Sequence, residues 1–309
     1  MLTDSVAPPD LQSCTYFAPD ISMIRMLFGN LYLIGTLEEW VLVDTGAPFS
    51  SGTIRRAAAE MFGRESRPKG IILTHGHFDH AGSALELAGY WDVPIYAHPL
   101  EMPYLTGRSD YPPPDPTVGG ALALLSRVFP HRGRNLGSRM HTLPLDGSVP
   151  GLPDWRWIHT PGHTPGHVSL FREADQVLIA GDALVTTNQE SLLQLFVLER
   201  ELRWPPAPFT TNWIAARQSI ERLADLWPVV IAAGHGRLME GPEVAGQLRS
   251  FAASFKLPAR GRYVPRPAIA DETGVVDLPP RPPDALPKWI MAAVIAAAAY
   301  AAYSHWRRA

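Results

Sequence analysis

Cysteine is almost missing from this chain: Cys14 is the only one in 309 residues. A lone thiol builds neither a disulfide framework nor a thiolate zinc finger, so any bound metal must rest on histidine and carboxylate. Basic runs are missing as well. With a formal net charge of −3 and 18% charged residues, the chain is ill suited to neutralising phosphates, which argues against a nucleic-acid partner. The N-terminus, MLTDSVAPPD, carries neither the basic nor the apolar region of a secretory signal, so a cytoplasmic protein is expected. No internal repeat stands out at solenoid periods. What is present is a 46% hydrophobic composition, sufficient for one large core or two small ones.

Proline, by contrast, is plentiful, and it gathers between Pro103 and Pro116 and between Pro258 and Pro287. The second stretch includes Pro265, Pro267, Pro279, Pro280, Pro282 and Pro283, which excludes a continuous helix and predicts an extended linker. The expected organisation is a globular domain over 1–256, a Pro-rich linker over 257–287 and a terminal apolar helix over 288–309. From Trp289 to Trp306 that helix would run about 18 residues, or ~27 Å, close to the thickness of a bilayer core. Terminal tryptophans flanked by Lys288, Arg307 and Arg308 resemble interfacial anchors, so this segment reads as a membrane anchor. Its alanine-rich composition supports a rival reading, a helix docked on the globular domain or on a partner.

Strands are predicted at Met23 to Ile34, Trp40 to Asp44, Gly70 to Thr74, Pro94 to Ala97, Trp155 to His159, His167 to Phe171, Val177 to Ala180 and Val229 to Ala232. Helices are predicted at Ser51 to Phe62, His80 to Gly89, Asn188 to Trp204, Asn212 to Leu226 and Pro242 to Phe255. Strands alternating with helices imply sheets covered by helices, an α/β layered fold. The long connection from His98 to His141, with Tyr104, Tyr111 and a short helix over Ala121 to Phe129, reads as a substrate-covering lid.

The chemistry concentrates in Thr74-His75-Gly76-His77-Phe78-Asp79-His80, directly after the apolar run Ile71-Ile72-Leu73. Three histidines and an aspartate at a strand's carboxyl end are good zinc ligands that one loop can turn inward. Three further polar turns follow short apolar runs: Pro161-Gly162-His163-Thr164, Gly181-Asp182 and Gly234-His235-Gly236. Each sits beside glycine, which lets the backbone approach a buried ion closely.

In this order, the motifs resemble the metallo-β-lactamase superfamily over roughly residues 20 to 245. The resemblance implies a four-layer αββα sandwich with two metal ions between the sheet edges. It implies one metal on His75, His77 and His163, and a second on Asp79, His80 and His235, with Asp182 bridging both. Val41-Leu42-Val43-Asp44-Thr45-Gly46 matches the family's first motif, with Asp44 orienting a ligand imidazole rather than touching metal. Asp79 and Asp182 would supply the negative charge that two divalent cations require. Zinc is the expected ion, with manganese or iron as alternatives. A water between such ions ionises near neutrality, its pKa falling from about 15.7 to about 7. The expectation is therefore a dinuclear hydrolase acting on an ester, thioester, lactone or amide-type bond of a small molecule. Val185 stands where related lactonases commonly carry tyrosine, and Asp182 is generally missing from true lactamases of the fold. Two alternatives stay open: an iron-dependent sulfur dioxygenase on the same fold, and a membrane-tethered metal-binding module without turnover. His159 and His167 are assigned hydrogen-bonding or packing roles.

Overall fold

The computed structural model describes residues 14–191, 200–283, 290, 293 and 295–300. Two sheets form its centre. The first has seven strands in sequential order: β1 (Cys14–Ala18), β2 (Ile21–Arg25), β3 (Asn30–Gly35), β4 (Trp40–Val43), β5 (Ile71–Ile72), β6 (Ile95–Ala97) and β7 (Met140–Thr142). The second has six: β8 (Ser148–Val149), β9 (Leu152–His159), β10 (Val168–Arg172), β11 (Val177–Gly181), β12 (Val230–Ala233) and β13 (Met239–Glu240), stacked in the order β13-β12-β11-β10-β9-β8.

Alternation along the strands explains why the sheets stack. Successive side chains on a strand point to opposite faces. Leu31, Leu33 and Leu42 join Ile54, Phe62, Leu87 and Trp91 in one outer core, beneath helices α1 (Ser51–Phe62) and α3 (Ala84–Trp91). Their neighbours Tyr32, Ile34, Val41 and Val43 point the other way and meet Val168, Leu170, Val177 and Ile179 of the second sheet. Leu178 and Ala180 then face Trp213, Ile220, Leu223 and Leu248 on α4 (Trp213–Ala224) and α5 (Val244–Ala253). Three apolar cores separate helices, sheet, sheet and helices, so the expected four layers are observed.

Four expectations need correction. The run from Met23 to Ile34 is a hairpin, β2 and β3 joined by a turn in which the Met26 N–H donates to the Gly29 carbonyl at 2.9 Å. The helix expected from His80 to Gly89 is split into α2 (Phe78–Ala81) and α3. Gly82 lies between them, packed so tightly that a Cβ there would collide with the Ala47 and Pro48 backbone. Of the helix expected from Asn188 to Trp204, residues 192–199 lie outside the described residues, and the flanks are not helical. Arg203 instead pairs with Val185 in an isolated β-bridge.

The fourth concerns the Pro-rich segment, which is packed against the sandwich where an extended linker is expected. Tyr263 is buried in the core beneath α4 and α5, its hydroxyl donating to the Pro113 carbonyl at 2.7 Å. The Arg262 N–H donates to Asp115, the Ala268 N–H to the Thr211 carbonyl, and the Val275 N–H to Ser109 Oγ. A hairpin, β14 (Ile269–Asp271) and β15 (Gly274–Asp277), completes the strap. Prolines exclude helix, but an extended chain docks well when aromatic side chains and backbone donors find partners. Most of the terminal segment read as a membrane anchor lies outside the described residues. Residues 295–300 are helical, and among the described residues no helix is long and apolar enough to cross a membrane.

Candidate metal centre

The carboxyl ends of β4, β5, β11 and β12, with the β9–β10 connection, converge on one edge of the sandwich. β4 pairs parallel with β5, and β11 with β12, so the loops after these strands open on the same side. They bring together His75, His77, Asp79, His80, His163, Asp182 and His235. Three groups form in which every ligand atom lies within 4.8 Å of the others: His75, His77 and His163; His75, His80 and Asp182; and Asp79, His80 and His235. His75, His80, His163 and Asp182 are buried, whereas Asp79 and His235 lie on the more open side with side chains 15% and 11% exposed.

Hydrogen-bond directions determine which imidazole nitrogens face inward without a proton. Asp44, at φ 61°, accepts from the Thr74 N–H on Oδ1 and from both the Thr74 hydroxyl and His80 Nδ1 on Oδ2, each at 2.8 Å. The single Thr74 hydroxyl proton is thus committed to Asp44. His75 Nδ1, 3.1 Å from that oxygen, must donate to it, which leaves His75 Nε2 a bare lone pair. His80 Nδ1 donates to Asp44, so in the neutral ring, the form that can hold a metal, its Nε2 is bare. That atom is buried and makes no hydrogen bond, standing 3.5 Å from Asp182 Oδ2.

Asp182 Oδ2 is the hub. It lies 3.1 Å from His235 Nε2, 3.4 Å from His163 Nε2 and 3.5 Å from His80 Nε2, while its buried Oδ1 has no hydrogen-bond partner. Burial opposes its ionisation, but the imidazoles of His235 and His80 hold its pKa well below the usual carboxylate range. Burial likewise disfavours charge on His80, and the surrounding carboxylates of Asp182, Asp44 and Asp79 overcome it, raising its pKa well above the ordinary value. Burial and neighbouring imidazoles push His75 and His163 far down, and His77 to about 3. Gly234 has no room for a side chain, because a Cβ would collide with Asp182 Oδ1 and stand 2.8 Å from His80 Cε1.

Imidazole nitrogens crowded against one another, with His77 Nδ1 3.0 Å from His75 Nε2 and 2.9 Å from His163 Nε2, and a carboxylate beside them fit a cation chemically. The donor set is imidazole and carboxylate, which suits zinc and other first-row divalent ions.

Neighbours outside this set hold its backbone. The His167 Nε2 accepts the Asp182 N–H at 2.8 Å, so its Nδ1 carries the proton toward Thr160 Oγ1, also at 2.8 Å. Thr160 passes its own proton to Ser169, which donates to the Ala180 carbonyl. Sequence reasoning gave His167 a hydrogen-bonding role without a partner. It missed Glu101 altogether, a fully buried carboxylate in contact with two of the loops. An isolated glutamate in a loop carries no motif that would single it out.

His98 caps the turn leading to Glu101, its Nδ1 accepting the Leu100 N–H at 3.1 Å, and it stacks on His159 with centroids 4.1 Å apart. Burial and His159 lower the His98 pKa from 6.5 to about 4. The unfolded chain therefore takes up this proton first, and the stability His98 confers at neutrality is lost as pH falls from about 6.5 to about 4. Asparagine retains a capping oxygen but does not titrate. Melting curves at neutral pH and near pH 4 should show a smaller acid loss of Tm in His98→Asn than in the wild type.

The sequence pattern of the Metallo-beta-lactamase superfamily matches residues 24–235, and the chain belongs to that superfamily. It is 44% identical over 239 residues to the "Probable metallo-hydrolase YflN" of Bacillus subtilis, covering 76% of this chain and 90% of that one. It is 30% identical over 168 residues to hydroxyacylglutathione hydrolase GloC of Haemophilus influenzae, covering 54% and 68%. The solved structure of the Rm3 metallo-beta-lactamase shares the fold, with a TM-score of 0.52, 22% identity and coverage of 73% and 78%. The chain is thus a metal-dependent hydrolase, of a family whose members use divalent ions.

Proposed function

We propose that the chain hydrolyses an ester or thioester bearing an apolar acyl group, using two divalent cations. His75, His77 and His163 would hold one, Asp79, His80 and His235 the other, with Asp182 between them. The observation that carries this reading is the buried His80 Nε2, which makes no hydrogen bond 3.5 Å from Asp182 Oδ2, beside the crowded contact of His75 Nε2, His77 Nδ1 and His163 Nε2 at 3.0 and 2.9 Å. When bound, such ions supply Lewis-acid polarisation of a carbonyl and a water of lowered pKa. The protein's own part is to fix the imidazole tautomers, to balance positive charge with Asp79 and Asp182, and to exclude bulk water from the His75 side. Asp79 lies on the open side, where burial raises its pKa against the pull of His80 and His235; a bound cation would favour its charged form.

The acyl preference rests on an aromatic wall beside His77. The Phe209 ring lies 5.6 Å from the His77 ring and 6.2 Å from Phe129. Phe129 stacks on Phe78 at 5.4 Å, and Phe28 meets both edge-on at 6.0 and 6.2 Å. Phe28 comes from the β2–β3 turn, and Phe129 from the long insert read as a lid. Such a wall favours apolar groups over charged ones. The similarity to a hydroxyacylglutathione hydrolase supports including thioesters.

The test is a substrate panel of lactone, thioester, aryl ester, β-lactam and phosphodiester, run on chelator-stripped protein reloaded with zinc, manganese or iron. Stripping should abolish turnover and reloading restore it. Aryl or long-chain acyl substrates should exceed their acetyl counterparts by about 10-fold or more in kcat/KM, the scale of added apolar contact in a pocket. Oxygen consumption by the iron-loaded form with no hydrolysis by any form would overturn the proposal in favour of a dioxygenase. Metal loading should also raise Tm, since an ion at 100 times its Kd adds about 2.7 kcal/mol of stability.

A further inference from the structure

We infer that Glu101 is a positioning residue that bolts the two halves of the sandwich together at the three-histidine group, an inference resting on that group's holding a metal ion. Glu101 ends the short turn Pro99–Glu101 after β6, and its side chain is fully buried. One carboxylate oxygen, Oε2, accepts from the Gly76 N–H at 3.0 Å and from the Tyr111 hydroxyl. The other, Oε1, accepts from the Thr164 hydroxyl at 2.7 Å and the Gly166 N–H at 2.9 Å. Gly76 separates His75 from His77, and Thr164 follows His163. Each oxygen therefore grips the backbone or the adjacent side chain of a different histidine-bearing loop, the first following β5 of one sheet and the second joining β9 to β10 of the other.

The packing leaves no slack. A Cβ at Gly166 would stand 2.7 Å from the Glu101 nitrogen, and one at Gly76 would collide with the Tyr111 hydroxyl. Tyr111 is itself held, stacked on Tyr104 with centroids 4.0 Å apart and lying 4.7 Å from the His77 ring. All four groups facing Glu101 donate, so the site matches an ionised, acceptor-only carboxylate. Glutamine cannot replace it. Whichever way its amide turns, the NH2 faces a backbone N–H, of Gly76 or of Gly166, that cannot reorient. Among the described residues the three histidines have no carboxylate partner apart from Asp182, and Glu101 places negative charge one peptide away from two of them. It thereby sets both their spacing and the charge that favours a dication.

The experiment is a cobalt(II) titration of the full chain, followed by its visible absorption, on wild type, Glu101→Gln, Tyr111→Phe and Thr164→Val. Wild type should bind two ions. If it binds none, the metal reading itself fails and Glu101 has no ion to serve. Given wild-type binding, Glu101→Gln should weaken one of the two ions by about 10–100-fold and alter its spectrum, leaving the other ion near its wild-type affinity. Tyr111→Phe and Thr164→Val each delete one donor and keep the carboxylate, so each should weaken the same ion less. They also decide the matter if Glu101→Gln does not fold. Equal weakening of both ions would mark a merely structural role and overturn the inference. So would wild-type affinities and spectra in the folded variants.

Discussion

Asp182→Asn is expected to lower kcat/KM by about 10²–10⁴-fold, since charge stabilisation in a metallohydrolase site is worth several kcal/mol and each 1.4 kcal/mol is tenfold. Three imidazole nitrogens lie within 3.5 Å of its Oδ2, and the residue is 1% exposed. Asparagine keeps the volume, so packing and the backbone bond to His167 should survive. What disappears is, among the described residues, the only carboxylate that faces His80, His163 and His235 together. The check is steady-state kinetics with metal analysis of the purified variant. A folded Asp182→Asn enzyme with full metal content and wild-type kcat/KM would remove Asp182 from the centre of the chemistry.

Asp44→Asn should cost about 10–100-fold in metal affinity, although Asp44 lies outside all three ligand groups. Its carboxylate takes three donors: the Thr74 N–H, the Thr74 hydroxyl and His80 Nδ1. With the asparagine oxygen on the Thr74 N–H, its NH2 points at His80 Nδ1. The imidazole is then driven to the other tautomer, and its Nε2 becomes a donor where a lone pair is needed. Asparagine also tolerates the left-handed φ of 61°, so a backbone effect does not confound the result. Metal titration should show the weakening most clearly at the group containing His80. An unchanged affinity there would mean that the tautomer is set by something other than Asp44.

The motif residues could be read from the sequence because each is announced locally. A histidine or aspartate beside glycine just after an apolar run is a short-range pattern, and the layered order of strands and helices places all such turns on one edge. Ser51 to Phe62 is legible for the same reason: its apolar positions Ile54, Ala58 and Phe62 repeat at helical spacing. The reading of Met23 to Ile34 as one strand fails because both arms are apolar and the Gly29-Asn30 turn signal is short. That error hides Phe28, which the turn carries to the aromatic wall. The linker reading fails because proline reports what a segment cannot form and says nothing about what it docks against.

By itself, then, the sequence marked the polar turns after apolar runs, and the resemblance those motifs carry implied which of their side chains would share a cation. The tertiary structure alone decided how they are held. Glu101 reaches Gly166 across 65 positions, and Tyr263 reaches Pro113 across 150. Contacts of that kind depend on how folded layers approach one another, and a buried carboxylate acquires its role only from the four donors that surround it.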